Sequence, residues 1–251
     1  MIANEPCVPL STIKNVPQTK LFYFLNEHYG PLYSQEKLNP RPGYAGFLDH
    51  MCGQIGEPWT RALHMPYLRE PNMVRKCFPR VPHIERPRIW LDARTVLRET
   101  ESPGVWTPAC DKFVERLQRS VDWDISYRCE LYRSHYNVPE PGHDDAAAYY
   151  RAISRADFFI GTGASGAGQS LCDAASLGLV CIGTPQLAYH RLICHPKCLC
   201  ENLDDSLKTV LSICKAPLDY SSIVSYQDSQ IGEHMQLLPL QRLMRQPPMP
   251  S

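Results

Sequence analysis

An α/β fold built on a doubly wound parallel sheet is predicted by three observations. From Arg88 onward, short apolar runs alternate with amphipathic stretches, the order expected when crossover helices join parallel strands. One of these runs, Phe158-Phe-Ile160, leads into a loop with Gly161, Gly163, Gly166 and Gly168, then into small and apolar residues, then into a second apolar run, Leu179 to Ile182. Strand, glycine loop, helix and strand in that order bring free backbone N–H groups and the positive end of a helix to the loop, which suits a phosphate or diphosphate. The third observation is negative: residues 1–87 are dense in proline, which breaks helix interiors and central strands, so the regular part of the fold begins after them.

Composition sets the frame. The 251 residues suffice for one large domain or two small ones with a sizeable core. Lys plus Arg equals Asp plus Glu at 26 each, so no bulk charge signals a nucleic-acid or membrane-surface partner, and any phosphate must be met locally. The first residues show no basic segment followed by an apolar core, and no run approaches the roughly 18 apolar residues of a transmembrane segment. Eleven cysteines form an odd set without framework spacing, which fits reduced thiols; a cytoplasmic setting is expected.

Three regions are expected: a Pro-rich N-terminal region over 1–87, a nucleotide-binding domain over 88–225, and a C-terminal helix with a Pro-rich tail over 226–251. In the first, Lys20 to Leu25 is aromatic and apolar and reads as a buried strand, closed by Asn26 to Pro31 with His28 at its end. Tyr44 to Ile55 has the spacing of a short helix. In the second, Ile89-Trp-Leu91 is a strand bounded by Pro87 and a polar loop, Asp92 to Thr95. Thr107-Pro108 has the form of an N-cap with Pro at the first helical position, and Phe113, Leu117 and Val121 share one face. Trp123 to Leu131 alternates as a strand does. His143-Asp-Asp145 begins a helix with Ala146, Tyr149, Tyr150 and Ile153 at helical spacing. The two acids belong there because a helix N-terminus favours negative charge, which accounts for them better than an acid-base pair does. After the central strands, Cys198-Leu-Cys200 reads as one more short strand. Asn202 or Asp204 then caps a helix with Leu207, Val210, Leu211 and Cys214. A last helix runs over Asp228 to Arg245, interrupted at Pro239, with His234, Leu237, Leu238 and Leu243 along it.

The glycine loop admits several chemistries. Gly161-Thr-Gly163-Ala-Ser-Gly166 matches the dinucleotide fingerprint G-x-G-x-x-G. That fingerprint asks for an acid about 20 residues on to hold the ribose, where this chain has Gly183-Thr-Pro185. An NAD(P)-dependent oxidoreductase is therefore the third reading. Ser165 does not make a nucleophile elbow, because Ala167 stands where glycine is needed. His190, Cys194, His195, Cys198 and Cys200 are zinc-preferring residue types, but they contain no C-x-x-C pair. No metal is expected, and no cofactor.

The same stretch resembles the donor-binding half of the GT-B glycosyltransferases. The match rests on Ala156-Asp157, the apolar strand, Ser165-Gly-Ala-Gly168, Asp173-Ala174 eight residues after Ser165, and Leu177-Gly-Leu-Val180 before a strand ending in Gly183-Thr184. The resemblance covers about residues 84–225 and implies a C-terminal Rossmann-like domain that holds a nucleotide sugar, of UDP or GDP type, and passes its sugar to a hydroxyl of an unidentified acceptor. It implies a donor site at Arg94, Arg98, Gly163, Ser165, Gly166, Ala167, Gly168 and Gln169, with Asp173 on the ribose and the two arginines on the diphosphate. The chain departs from the family at two points. Ser165 replaces the acid that contacts the donor sugar, and the position of the family's lysine falls near Glu99 or Thr100, leaving Arg98 to substitute. These departures keep open a second reading, a non-catalytic binding or scaffold module of the same fold. The catalytic residue is not identified by the resemblance. Because 1–87 is short for a full acceptor-side domain, either a second chain, such as a copy of this one, completes the cleft or the acceptor domain is a shrunken one built around Leu21 to Leu25.

Overall fold

The computed structural model describes residues 2–3, 22–25, 46–49, 62–64, 70–102, 104–128, 146–162 and 169–234. The chain forms two compact units, residues 1–68 with 234–251, and residues 69–233.

The first unit holds a parallel sheet of four short strands, β1 (Ile2–Ala3), β2 (Phe22–Leu25), β3 (Gly46–Asp49) and β4 (Ala62–His64), in the order β1-β2-β3-β4. The aromatic run after Lys20 supplies β2, an inner strand with Phe22 opposite both Ile2 and Gly46. The helix expected over Tyr44 to Ile55 is corrected: its described part is β3, paired with β2 on one side and β4 on the other. Two flanking strands offer a backbone partner to every second group of Gly46 to Asp49, and that pairing overrides a four-residue helical spacing. His28, Leu237, Leu238 and Leu243 lie outside the described residues.

The second unit begins with helix α1 (Pro71–Cys77) and continues through β5 (Arg88–Asp92), α2 (Ala93–Glu99), α3 (Pro108–Ser120), β6 (Asp124–Arg128), α4 (Ala146–Ile153), β7 (Phe158–Gly161), α5 (Gln169–Ser176), β8 (Val180–Gly183), α6 (Ala188–Ile193), a 3₁₀ turn (Pro196–Cys198), α7 (Leu203–Cys214) and α8 (Pro217–His234). All strand pairs are parallel and the order is β6-β5-β7-β8. This is the α/β, Rossmann-like architecture. Every residue of β7 and β8 is buried, because helices cover both faces; that is why these strands read as unbroken apolar runs rather than alternating ones. The exposed edge of β8 is capped by Gln227 of α8. Its Oε1 accepts from Cys181 N at 2.8 Å and its Nε2 donates to Leu179 O at 2.7 Å, so a fully buried amide takes the place of a missing strand.

Several local expectations are corrected. Asp92 to Thr95 is not a loop: the Asp92 carboxylate accepts from Arg94 N at 2.9 Å and caps α2. In α3 the fully buried face is Cys110 and Val114, with Phe113, Leu117 and Val121 half-buried. Around Cys198 the chain makes the 3₁₀ turn, followed by one parallel bridge of Leu199 to Gly183, too short for a strand. Asn202 caps α7 as expected, but the buried stripe is Leu203, Ser206, Val210 and Ile213, while Leu211 is exposed. The last helix starts at Pro217, not at Asp228. In α3 the buried Cys110 packs against the end of α2, within 3.4 Å of Thr100 Oγ1 and Ser102 Oγ.

Candidate functional site

In an open parallel sheet, ligands bind beyond the carboxyl ends of the strands, where the strand order reverses. Here the chain runs outward from β5 to β6, then crosses back to β7 and β8, so the reversal lies between β5 and β7. Helix α2 springs from the end of β5 and reaches across this point. Thr95 Oγ1 accepts from Thr162 N at 3.0 Å, and Arg98 Nη1 donates to Thr162 O. Thr162, directly after β7, is thus held on both of its backbone groups by one helix. Its side-chain hydroxyl is fully buried and has no hydrogen-bond partner among the described residues.

Arg94 stands four residues before Arg98, so both guanidinium groups share a face of α2. Arg94 is exposed, and its guanidinium has no partner among the described residues. Of the residues expected at the site, the fold therefore brings Arg94 and Arg98 to the switch point. Gly163, Ser165, Gly166, Ala167 and Gly168 lie outside the described residues. Gln169 opens α5, and Asp173 lies one turn further along it, buried, with its Oδ1 accepting from Tyr150 OH at 2.7 Å. Tyr150 in turn stacks on Phe78 with ring centroids 5.4 Å apart.

At the end of β8 the chain turns through Gly183 and Thr184, and Thr184 N donates to His190 Nδ1 at 3.0 Å. Accepting at Nδ1 leaves the proton on Nε2 of a neutral ring. Burial holds the ring in that form by lowering its pKa to about 4. A Cβ on residue 183 would lie 2.6 Å from His190 Nδ1, so only glycine leaves room for the imidazole. His190 therefore serves the turn. Burial also pushes the Cys198 thiol up to about 12, and raises Cys181 and Cys194 well above the ordinary thiol value. They remain protonated core side chains. No group of three or more His, Cys, Asp or Glu among the described residues is placed to hold a metal.

A cavity of about 500 Å³ lies at the other end of the sheet, lined by Arg86, Arg88, Asp122, Trp123, Asp124 and Arg155 among others. Arg88 pairs with Asp124 at 3.3 Å and Arg86 with Asp122 at 3.7 Å. These pairs are exposed and largely neutralise one another. The cavity sits at the amino ends of β5 and β6, where no crossover helix presents its N-terminus, so chain topology points to the β5–β7 switch point instead.

No protein-family model matches the chain, and no curated protein does. Solved structures do. The Anabaena protein HepE, in complex with UDP and glucose, superposes with a TM-score of 0.54 at 10% identity, over 93% of this chain and 72% of that one. The sucrose-phosphate synthase of Thermosynechococcus elongatus gives 0.55 at 13% identity, over 94% and 69%. TarM gives 0.55 at 9% identity, over 97% and 53%. The chain has a GT-B glycosyltransferase-like fold. Within this GT-B-like framework, two residues at the switch point escape a reading of the sequence. Thr162 and Thr95 carry no motif of their own; the one available signal was a polar residue set directly after a wholly apolar strand and before a glycine loop. No helix among the described residues is long and apolar enough to cross a membrane.

Proposed function

We propose that the chain binds a nucleotide sugar at the β5–β7 switch point and transfers its sugar to an acceptor hydroxyl. The observation that carries this reading is the placement of Arg94 and Arg98 on α2, directly after β5, with Arg98 donating to the Thr162 carbonyl just past β7, in a GT-B-like fold. HepE, of the same fold, was solved with UDP and glucose, which makes a uridine nucleotide sugar the first donor to test. In the transfer, the acceptor oxygen bonds to the anomeric carbon while the bond from that carbon to the diphosphate oxygen breaks. The bonding electrons leave with the diphosphate, and the hydroxyl proton is released. Arg94 and Arg98 stabilise the charge that gathers on the departing diphosphate, the step at which fixed guanidinium groups lower the barrier most. Asp173 serves the ribose, with Tyr150 holding its carboxylate. Buried and protonated thiols suit the reducing cytoplasm, where we place the activity.

Calorimetric titration with UDP, GDP, their sugar conjugates and pyrophosphate tests the reading. Arg94→Ala weakens UDP binding about tenfold or more, the loss expected for one charge-assisted hydrogen bond. Asp173→Asn weakens UDP but spares pyrophosphate. Release of UDP from a UDP-sugar in the presence of a hydroxyl acceptor tests transfer itself. Unchanged affinities in both variants, or a wild type that binds no nucleotide, would remove the donor-site assignment.

A further inference from the structure

The Thr162 hydroxyl stands apart from the other buried polar groups at the carboxyl ends of the strands. Thr95 Oγ1 takes the proton of Thr162 N, and the Thr184 amide is satisfied by His190. The Thr162 side chain is equally enclosed, at 0% exposure, and its Oγ1 meets no partner among the described residues. A buried hydroxyl left unpaired is destabilising, and native proteins rarely keep one without a use for it. Valine has nearly the same shape and would remove that cost.

The placement of this hydroxyl indicates its use. Thr162 follows directly on β7, at the β5–β7 switch point, and its carbonyl accepts from Arg98 Nη1. Arg94 lies on the same face of α2 with its guanidinium uncommitted. An anion attracted by Arg94 and the remaining N–H groups of Arg98 would lie near Thr162, where α2 meets the end of β7. We infer that the Thr162 hydroxyl donates a hydrogen bond to a phosphate oxygen of the ligand held by Arg94 and Arg98. Thr95 and Arg98 act as its positioning residues, because they hold the two backbone groups that aim its side chain. The inference rests on reading the switch point as a nucleotide-sugar site, and it adds a contact that discriminates phosphate from an apolar group of similar size.

Thr162→Val and Thr162→Ser, titrated with UDP and with inorganic pyrophosphate and melted without ligand, test the assignment. Thr162→Val is expected to melt at or above the wild-type temperature, since an unpaired hydroxyl is lost. It is also expected to bind both ligands about tenfold more weakly. Thr162→Ser, which keeps the hydroxyl, stays within about twofold of wild type, an effect small against that tenfold. A residue that merely packs would leave both affinities unmoved. Binding of UDP by Thr162→Val within about twofold of wild type overturns the contact and leaves the nucleotide-sugar reading standing. Loss for UDP with none for pyrophosphate overturns the phosphate assignment. A wild type that binds pyrophosphate but not UDP rejects the nucleotide-sugar reading while the Thr162 comparison still decides the contact, and a wild type that binds neither overturns both. If Thr162→Val melts below wild type, Thr162→Ala carries the same comparison.

Discussion

The two ends of the second unit's sheet treat polar groups in opposite ways. At the amino end, Asp157 is 1% exposed and accepts three hydrogen bonds: from Arg80 Nη2 at 3.0 Å, His83 N at 2.9 Å and Arg88 N at 2.9 Å. Arg80 also donates to Gly178 O at 2.6 Å, Ala156 O at 2.8 Å and Tyr220 OH at 3.0 Å. One carboxylate and one guanidinium thus stitch the segment before β5 to β7, the turn before β8, and α8. At the carboxyl end, among the described residues, Arg94 is exposed with no partner for its guanidinium and the Thr162 hydroxyl has none either. Among those amino-end groups only Arg80 Nε lacks a partner among the described residues; such dense hydrogen bonding makes a fold rigid, whereas polar capacity left unused beside exposed cationic side chains is what a ligand can take up. The contrast teaches that Asp157, although part of the resemblance to glycosyltransferases, does structural work, while the proposed site lies across the sheet.

The largest effect expected is therefore at the amino end. Asp157→Ala leaves Arg80 buried without its counter-charge and should cost about 3–5 kcal/mol, read as a lower urea midpoint. A loss below about 1 kcal/mol, the range of surface pairs, would erase the contrast. Next comes pH, acting through His190 at the end of β8, whose Nδ1 accepts from Thr184 N. His190 has a folded pKa of about 4 against an ordinary 6.5. Between those values the unfolded chain takes up a proton that the folded chain refuses. The stability is intact above pH 6.5 and is lost progressively as pH drops, the loss reaching about 3 kcal/mol by pH 4. Urea unfolding at pH 7, 5 and 4, compared with His190→Gln, isolates it; identical pH slopes for the two proteins would show that His190 is not held neutral by the fold. A smaller cost is expected for Gly183→Ala. The new methyl meets His190 Nδ1 at 2.6 Å, and relief by displacing the ring should cost about 1–3 kcal/mol. A melting temperature equal to wild type would mean that the turn yields freely. Smallest of all in stability are Arg94→Ala and Thr162→Val, within about 0.5 kcal/mol of wild type or above it, with their effects appearing in ligand affinity alone. If either unfolds the protein, the carboxyl end is structural too and the contrast fails.

Legibility followed the range of the interactions. Strands β5, β7 and β8 stand out because burial on both faces forces unbroken apolar runs, and the helix after Thr107-Pro108 announces itself through its cap. Helix α2 was misread although its signal, Asp92 as N-cap, was present; seven residues are too few for a periodic pattern to show. The sequence places the faces of α3 and α7 by apolar spacing, whereas the buried faces, Cys110 with Val114 and Leu203 with Ser206, Val210 and Ile213, are set by tertiary contacts. At the proposed site, Arg94 and Arg98 follow from a family pattern. Thr162 does not, since its meaning comes from Thr95 and Arg98, 67 and 64 residues away in the chain.

By itself the sequence settled the alternation of strand and helix, the glycine loop between two buried strands, and hence the class of fold, because backbone sterics and the burial period act within a few residues. The tertiary structure alone decided which strands are neighbours, and so where the order reverses. It alone made Asp157 a latch, His190 the support of a turn, and Thr162 a buried hydroxyl without a partner among the described residues. Each of these depends on which distant groups satisfy a hydrogen bond and which are left over, a balance struck only when the whole sheet is assembled.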